Sequence, residues 1–260
     1  MVFEPTKTTC DKCGAVCDAV YYGTLRLTGE IFCPYCIKEL EVEDKRDKEA
    51  ALAEKARKLK EAYDEKTEDI RNNPSKYLSA AGIGARHSSA TMADFEGGGT
   101  KTEVLKWLSG TRSEFVLIQG ASPGTGKTHL ACAMAHEFVL DTHDTPLFIP
   151  AVDMLLCARD TFHKDSAISE DRVIQAWRDV PLLIIDDFGT EKTSDYSQQV
   201  MYQVINSRYN SMMPTIITTN ASSADIKEKN GTRIFSRIAS GLIIVLDGSD
   251  LRAKNRKVVK

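Results

Sequence analysis

Gly120-Ala121-Ser122-Pro123-Gly124-Thr125-Gly126-Lys127-Thr128 comes directly after the apolar run Phe115–Gln119 and leads into a helical pattern from 126 to about 140. The phosphate-loop rule asks for Gly, four residues, then Gly-Lys-Ser/Thr. Counted back from Gly126, the first position is Ala121, with Gly120 one residue earlier. That is a mild departure, because a small residue suffices there when its φ is negative. Gly124 and Gly126 let backbone N–H groups turn inward around phosphate oxygens, and the helix they open adds the positive end of its dipole. Lys127 is placed to meet the β- and γ-phosphates, and the Thr128 hydroxyl to ligate Mg²⁺. Ser122, Pro123 and Thr125 complete the loop, and His129 continues it into the helix. A Gly/Pro-rich turn between strand and helix is the competing reading. The unbroken Pro-Gly-Thr-Gly-Lys-Thr string, with strand before and helix after, outweighs it, and ATP with Mg²⁺ is the expected ligand.

Working outward, short apolar runs alternate with helical patterns. Strands are expected at 115–119, 147–149, 182–185, 215–219 and 242–246, with helices at 126–140, 152–162, 170–178 and 196–210. Uninterrupted apolar strands in such alternation argue an α/β fold whose parallel sheet is covered on both faces. Pro181-Leu182-Leu183-Ile184-Ile185-Asp186-Asp187 ends in two carboxylates. A strand of this kind is expected beside the loop's own strand, delivering Asp186 to the Mg²⁺ shell. Asp187 is then free to orient or deprotonate the attacking water. Thr215-Ile216-Ile217-Thr218-Thr219-Asn220 ends in an amide that can donate to a γ-phosphate or hold water, though Asn at a strand end is also ordinary turn chemistry.

With these residues in view, the stretch from about Thr91 to Arg252 resembles the DnaC/DnaI/IstB-like helicase-loader ATPases of the AAA+ class. The likeness rests on Pro123–Leu130, Leu182–Gly189, Ala158-Arg159-Asp160-Thr161-Phe162, and Asn206-Ser207-Arg208-Tyr209 running into Pro214–Asn220. It implies an AAA+ core with a five-stranded parallel sheet flanked by helices and no C-terminal lid domain. It implies that Asn220 is the sensor-1 residue and that Arg237 is an arginine finger reaching the γ-phosphate on a neighbouring subunit, with Arg233 the second candidate. A fixed cation supplied in trans would couple hydrolysis to assembly. The resemblance further implies a DnaB-like replicative helicase hexamer as partner, contact with single-stranded DNA, and homo-oligomers in the ATP state. Arg159, Phe162, His163 and Lys164 fall where this family places DNA-touching helices. The tail Arg252, Lys254, Arg256, Lys257, Lys260 is a second basic stretch.

Five of the seven cysteines lie in residues 1–40. Cys10-x2-Cys13, nineteen intervening residues, then Cys33-x2-Cys36 has the four-thiolate zinc-ribbon spacing, with Cys17 a spare. Gly14 and the Cys33-Pro34-Tyr35-Cys36 string suit two tight knuckle turns. So small a module cannot bury enough apolar surface unaided, so Zn²⁺ would be its main stabiliser. A redox dithiol pair is the competing reading. Some loaders of the resembled family carry an N-terminal zinc-binding domain that grips the helicase, so partner docking is the role expected here. Residues 38–71 are dominated by charge, with mixed signs at helical spacing such as Glu54 and Lys58, and Asn72-Asn73-Pro74 should stop that helix. Gly97-Gly98-Gly99 reads as flexible punctuation. The organisation expected is a zinc module at 1–40, a charged helical linker at 41–90 and an ATPase domain at 91–260.

Across its 260 residues the chain is 42% hydrophobic and 27% charged, with a net charge of −3. Wholesale disorder and nucleic-acid binding by bulk charge are excluded, and no apolar run approaches the ~18 residues of a membrane span. A cytoplasmic protein is expected. Three functions fit the residues: an ATP-dependent helicase loader, an IstB-like transposition helper acting on a transposase and DNA, and a non-catalytic nucleotide-binding adaptor. A small-molecule phosphotransferase is the weakest fit, for want of an arginine-rich lid.

Overall fold

A computed structural model of the chain describes residues 7–18, 34–95, 98–110, 112, 115–162 and 168–248. The chain divides into two compact units, Met1–Glu65 and Lys66–Lys260. In the first, strands β1 (Lys7–Thr9) and β2 (Val16–Asp18) pair antiparallel around a tight turn. That turn is closed by Gly14 N–H donating to the Cys10 carbonyl at 2.8 Å. The second knuckle differs from expectation. Pro34 opens helix α1 (Pro34–Asn72), so Cys36 sits in a helical first turn and not in a loop. Proline is favoured at that position because its missing N–H would be unpaired there anyway. Along α1, Glu54 pairs with Arg57 at 2.9 Å and with Lys58 at 3.5 Å, each worth only about 0.3–0.5 kcal/mol on an exposed face. The helix stops at Asn72, and Pro74 starts α2 (Pro74–Ala80).

The second unit is built on five parallel strands: β3 (Phe115–Gln119), β4 (Leu147–Pro150), β5 (Leu183–Asp186), β6 (Thr215–Thr219) and β7 (Leu242–Val245). Their order is β4-β5-β6-β3-β7. The strand carrying Asp186 is therefore not beside the loop's strand. β6 lies between them, with Ile217 paired to Leu117 on one side and to Ile185 on the other. Strands that are apolar on both faces satisfy the same burial whatever their neighbour, so composition does not encode this order.

Each central strand alternates between two cores. Val116, Ile118, Ile184 and Ile216 face one, with Leu130 and Met134 of α4 (Lys127–Thr142) and Trp107 of α3 (Gly98–Ser109). Ile70 near the end of the charged stretch, and Leu78, Ile83 and Ala90 beyond it, belong to the same core. Phe115, Leu117, Ile185 and Ile217 face the other. That core is covered by α5 (Ala151–Asp160), α6 (Glu170–Asp179), α7 (Asp195–Asn210), α8 (Ser223–Asn230) and α9 (Thr232–Ile238). Gly98 and Gly99, expected as flexible punctuation, form the first turn of α3. Burial of Val104, Trp107 and Leu108 outweighs their poor helix propensity. Cys33, His163, Lys164 and residues 249–260, which carry the basic tail and the expectation about a lid, lie outside the described residues. Among the described residues no helix is long and apolar enough to cross a membrane.

Candidate nucleotide site

Three strand ends converge at the carboxyl edge of the sheet, the edge where open α/β sheets bind ligands: the loop after β3, Asp186 closing β5, and Asn220 after β6. Gly124 and Gly126 have φ of +76° and +96°, conformations that β-carbons disfavour, and Gly126 is the N-cap of α4. Gly120 serves another purpose: a β-carbon there would lie 2.2 Å from the Leu246 carbonyl oxygen, so it lets the end of β7 close on the loop. Ala121 is absent from the positive-φ residues, as its place in the motif requires.

Lys127 is only 6% exposed. Its Nζ donates to the carbonyls of Gly120 at 2.9 Å and Ser122 at 2.8 Å, and to Thr125 Oγ1 at 3.2 Å. The ammonium thus sits inside the curl of the loop, where a phosphate would compete with these carbonyls for it. Ser122 and Pro123 are exposed on the loop's outer turn. His129 is half-buried in the first turn of α4, its ring in a T-shaped contact, 6.2 Å between centroids, with His87. His87 belongs to a turn with no motif of its own, and nothing in the sequence singled it out.

Thr128 Oγ1 donates to Asp186 at 3.0 Å, joining the start of α4 to the end of β5 across the intervening strand. Thr218 of β6 supplies the link between them. Its hydroxyl donates to Asp186 Oδ1 at 2.5 Å and accepts the Asp187 N–H at 3.0 Å. Burial pushes the Asp186 carboxyl above its ordinary range, and the Asp187 carboxylate adds to that, while the Thr218 and Thr128 hydroxyls pull it back. A carboxylate so placed gains most from a cation, which is what Mg²⁺ beside Thr128 would provide. Asp187 is exposed and strained, with φ of +52°, and its Oδ1 accepts from Asn220 Nδ2 at 3.3 Å. Thr218 was missed because a threonine in a buried strand reads as β-branched core. Only the strand order reveals its partners.

Arg237 lies on α9. Nε donates to Asn206 Oδ1 at 2.9 Å, Nη1 donates to the Arg233 carbonyl at 2.8 Å, and the guanidinium stacks over Tyr202 and Tyr209. Among the described residues no hydrogen bond or ion pair joins it to the loop or to the acidic pair of its own chain. Arg233, one turn earlier, is exposed. Arg208, which the sequence offered only as part of a resemblance, is fully buried and structural. It donates to Thr215 Oγ1 and to the carbonyls of Trp177, Arg178, Val180 and Pro214. Burial holds its pKa down to about 10, so it remains a cation at neutral pH.

In the first unit, one ligand atom from each of Cys10, Cys13 and Cys36 lies within 4.8 Å of the others. Thiolates on one tetrahedral Zn²⁺ stand about 3.8 Å apart, so the three sulfurs present fit such an ion. The fourth expected ligand, Cys33, is outside the described residues.

Residues 88–236 match the family model described as IstB-like ATP binding protein. This chain belongs to that family. The replicative helicase loader DnaC of Escherichia coli strain K12 is 32% identical over 139 residues, 54% of this chain and 55% of the relative. DnaC of Buchnera aphidicola subsp. Baizongia pistaciae is 28% identical over 124 residues, 48% of this chain and 50% of the relative. The IstB-like chain thus spans about half the length of the curated relatives it matches. Among solved structures, the DnaC helicase loader superposes with a TM-score of 0.57 at 23% identity, over 63% of this chain and all of that one. The replication initiator DnaA bound to AMPPCP and single-stranded DNA gives 0.54 at 20%, over 62% of this chain and 50% of that one. At these identities the structures establish a shared fold.

Proposed function

We propose that this IstB-like protein is an ATP-hydrolysing loader that binds a hexameric replicative helicase and delivers it to single-stranded DNA. The observation carrying this reading is the convergence of the Lys127 loop, the Thr128–Asp186 pair and the Asp187–Asn220 pair at one sheet edge, in a chain related to helicase loaders.

In this reading the backbone N–H groups of 124–128 and the Lys127 ammonium hold the β- and γ-phosphates. Thr128 and Asp186 would hold Mg²⁺, which would supply neutralisation of the phosphate charge. Asp187 accepts a proton from the attacking water while Asn220 fixes the carboxylate's direction. Arg237, or Arg233 one turn away, meets the γ-phosphate of an adjacent copy. Its hold on α7 through Asn206, Tyr202 and Tyr209 keeps the guanidinium from straying, so little entropy is lost when the neighbour docks. Arg159 and Phe162 form a small platform with Tyr196, the ring of Phe162 lying 5.5 Å from that of Tyr196. A cation beside the exposed Phe162 ring, backed by the half-buried Tyr196, supports single-stranded DNA at this face. The three-part division at 1–40, 41–90 and 91–260 belongs to the same proposal, with the zinc-held module gripping the helicase.

A second reading, in keeping with the IstB-like family match, is a helper acting on a transposase. Purified protein mixed with a DnaB-like hexamer, or with a transposase, separates the two. Loading predicts a helicase complex and ATP-dependent deposition on closed circular single-stranded DNA. A complex with the transposase and none with helicase, with or without ATP, would contradict it.

A further inference from the structure

The loop just past Asp187 is tied to the base of the arginine helix by a carboxylate that the hydrolysis described above does not use. Glu191 is 6% exposed. Its Oε2 accepts the Gly189 N–H at 2.7 Å, and its Oε1 accepts from Asn230 Nδ2 at 2.9 Å. Both of these donors are neutral, so the charge is buried at a cost that no catalytic contact offsets. Asn230 is the last residue of α8 and is itself buried. Its Oδ1 has no hydrogen-bond partner. Turning the amide over would set that oxygen against the carboxylate, so Glu191 dictates its orientation.

Directly after Asn230 comes Gly231, from which α9 departs with Arg233 and Arg237. Two further bonds hold the end of α8, one to the loop and one to α7. Lys229 Nζ donates to the Gly189 carbonyl at 3.3 Å, and Gln198 Nε2 of α7 donates to the Lys229 carbonyl at 2.7 Å. Gly189 stands two residues beyond Asp187, whose carboxylate accepts from Asn220. One continuous path therefore runs from the strand ends around the nucleotide site, through Gly189 and Glu191, to the pivot of α9.

We propose that Glu191 is a positioning residue that couples the Asp187 loop to helix α9, so that the state of the terminal phosphate sets where the α9 arginines are presented to the adjoining copy. The proposal rests on the ATP-hydrolysing reading. A displacement of Asp187 on loss of the phosphate moves Gly189. The two carboxylate bonds then carry that movement to Asn230 and α9 as a unit, because neither bond can lengthen without stranding a buried polar group.

The test is ATP turnover and nucleotide affinity of the full chain, in the wild type and five variants. Glu191→Gln keeps the shape but leaves one acceptor where two donors converge. Its turnover is expected to fall about tenfold, with affinity changed less than about twofold. Glu191→Gln combined with Asn230→Asp restores both bonds with the charge moved across the pair, and should recover turnover to within about threefold of wild type. A residue that only supports the fold would lose affinity and stability together with turnover, so the separation of turnover from affinity is what marks the coupling. Added to Arg237→Ala, Glu191→Gln should cost little more, since both act on one step. Should Glu191→Gln not fold, Asn230→Ala carries the same expectation of slower turnover at unchanged affinity. Wild-type turnover in Glu191→Gln, no rescue by the double variant, or fully additive losses with Arg237→Ala would overturn the coupling. A wild-type protein that binds but never hydrolyses ATP would instead overturn the enzymatic reading, and the coupling with it.

Discussion

At the scale of single residues, the polar groups that matter most are those buried with partners that adjacent sequence does not supply. Arg208 is the plainest case: its guanidinium is enclosed by four carbonyls and a threonine hydroxyl from α6, β6 and the turns beside them. Replacing it with Leu leaves those carbonyls buried without donors, and the expected loss is about 3 kcal/mol or more, read as a fall in the urea midpoint at unchanged slope. Arg208→Lys should retain part of the loss because a point-like ammonium cannot reach every acceptor at once. The loop residues and Asp186, Asp187 and Asn220 were legible in the sequence because each belongs to a local string with its own chemistry. Thr218, Glu191 and Arg208 were not, because each has a partner about 30 to 40 residues away along the chain that no local string announces.

At the scale of elements, all five strands of the large sheet were legible to within a residue or two. So were the four helices expected between them, since apolar runs and breaks mark them directly. The order of strands was not, and the placement of β6 between β3 and β5 is what sets Thr218 against Asp186. The stop of α1 was also readable from Asn72-Asn73-Pro74, but the clasp that fastens it was not. Asp69 accepts from Asn73 at 2.9 Å, Lys76 at 2.6 Å and Tyr77 at 2.7 Å, tying the last turn of α1 to α2. The hydrogen bond from Lys76, then those from Tyr77 and Asn73, hold its pKa at about 2 against an ordinary 3.8. A carboxyl depressed in the folded state contributes stability above its unfolded value and loses it as pH falls toward the folded one. Asp69→Asn should therefore lower Tm most above about pH 4, and the gap to wild type should narrow as pH falls toward 3. Because the clasp is exposed, added salt should narrow it too. A gap independent of pH would contradict the assignment.

At the scale of the whole molecule, two units carry two kinds of side-chain cluster: three cysteines brought together in Met1–Glu65, and the Lys127 loop with its acidic neighbours in Lys66–Lys260. That Cys10, Cys13 and Cys36 come together was legible in their spacing. That its second half opens a 39-residue helix was not, because Pro34 serves a turn and a helix start equally well. The purified protein should carry one Zn²⁺ per chain by elemental analysis. Cys10→Ser or Cys36→Ser should lose it and render the first unit protease-sensitive, while nucleotide affinity in the second unit is retained. Metal content unchanged by either substitution would rule out these ligands.

The central claim is that a nucleotide held by one copy is hydrolysed with an arginine from the next. Mixing two impaired variants tests it most directly: Lys127→Ala, which keeps the arginine but cannot hold phosphate, and Arg237→Ala, which holds nucleotide but turns it over far more slowly without the arginine. Equal amounts should regain about a quarter of the wild-type rate per chain, the fraction of head-to-tail interfaces that random assembly makes whole. A mixture no faster than the sum of its two parts would contradict the account.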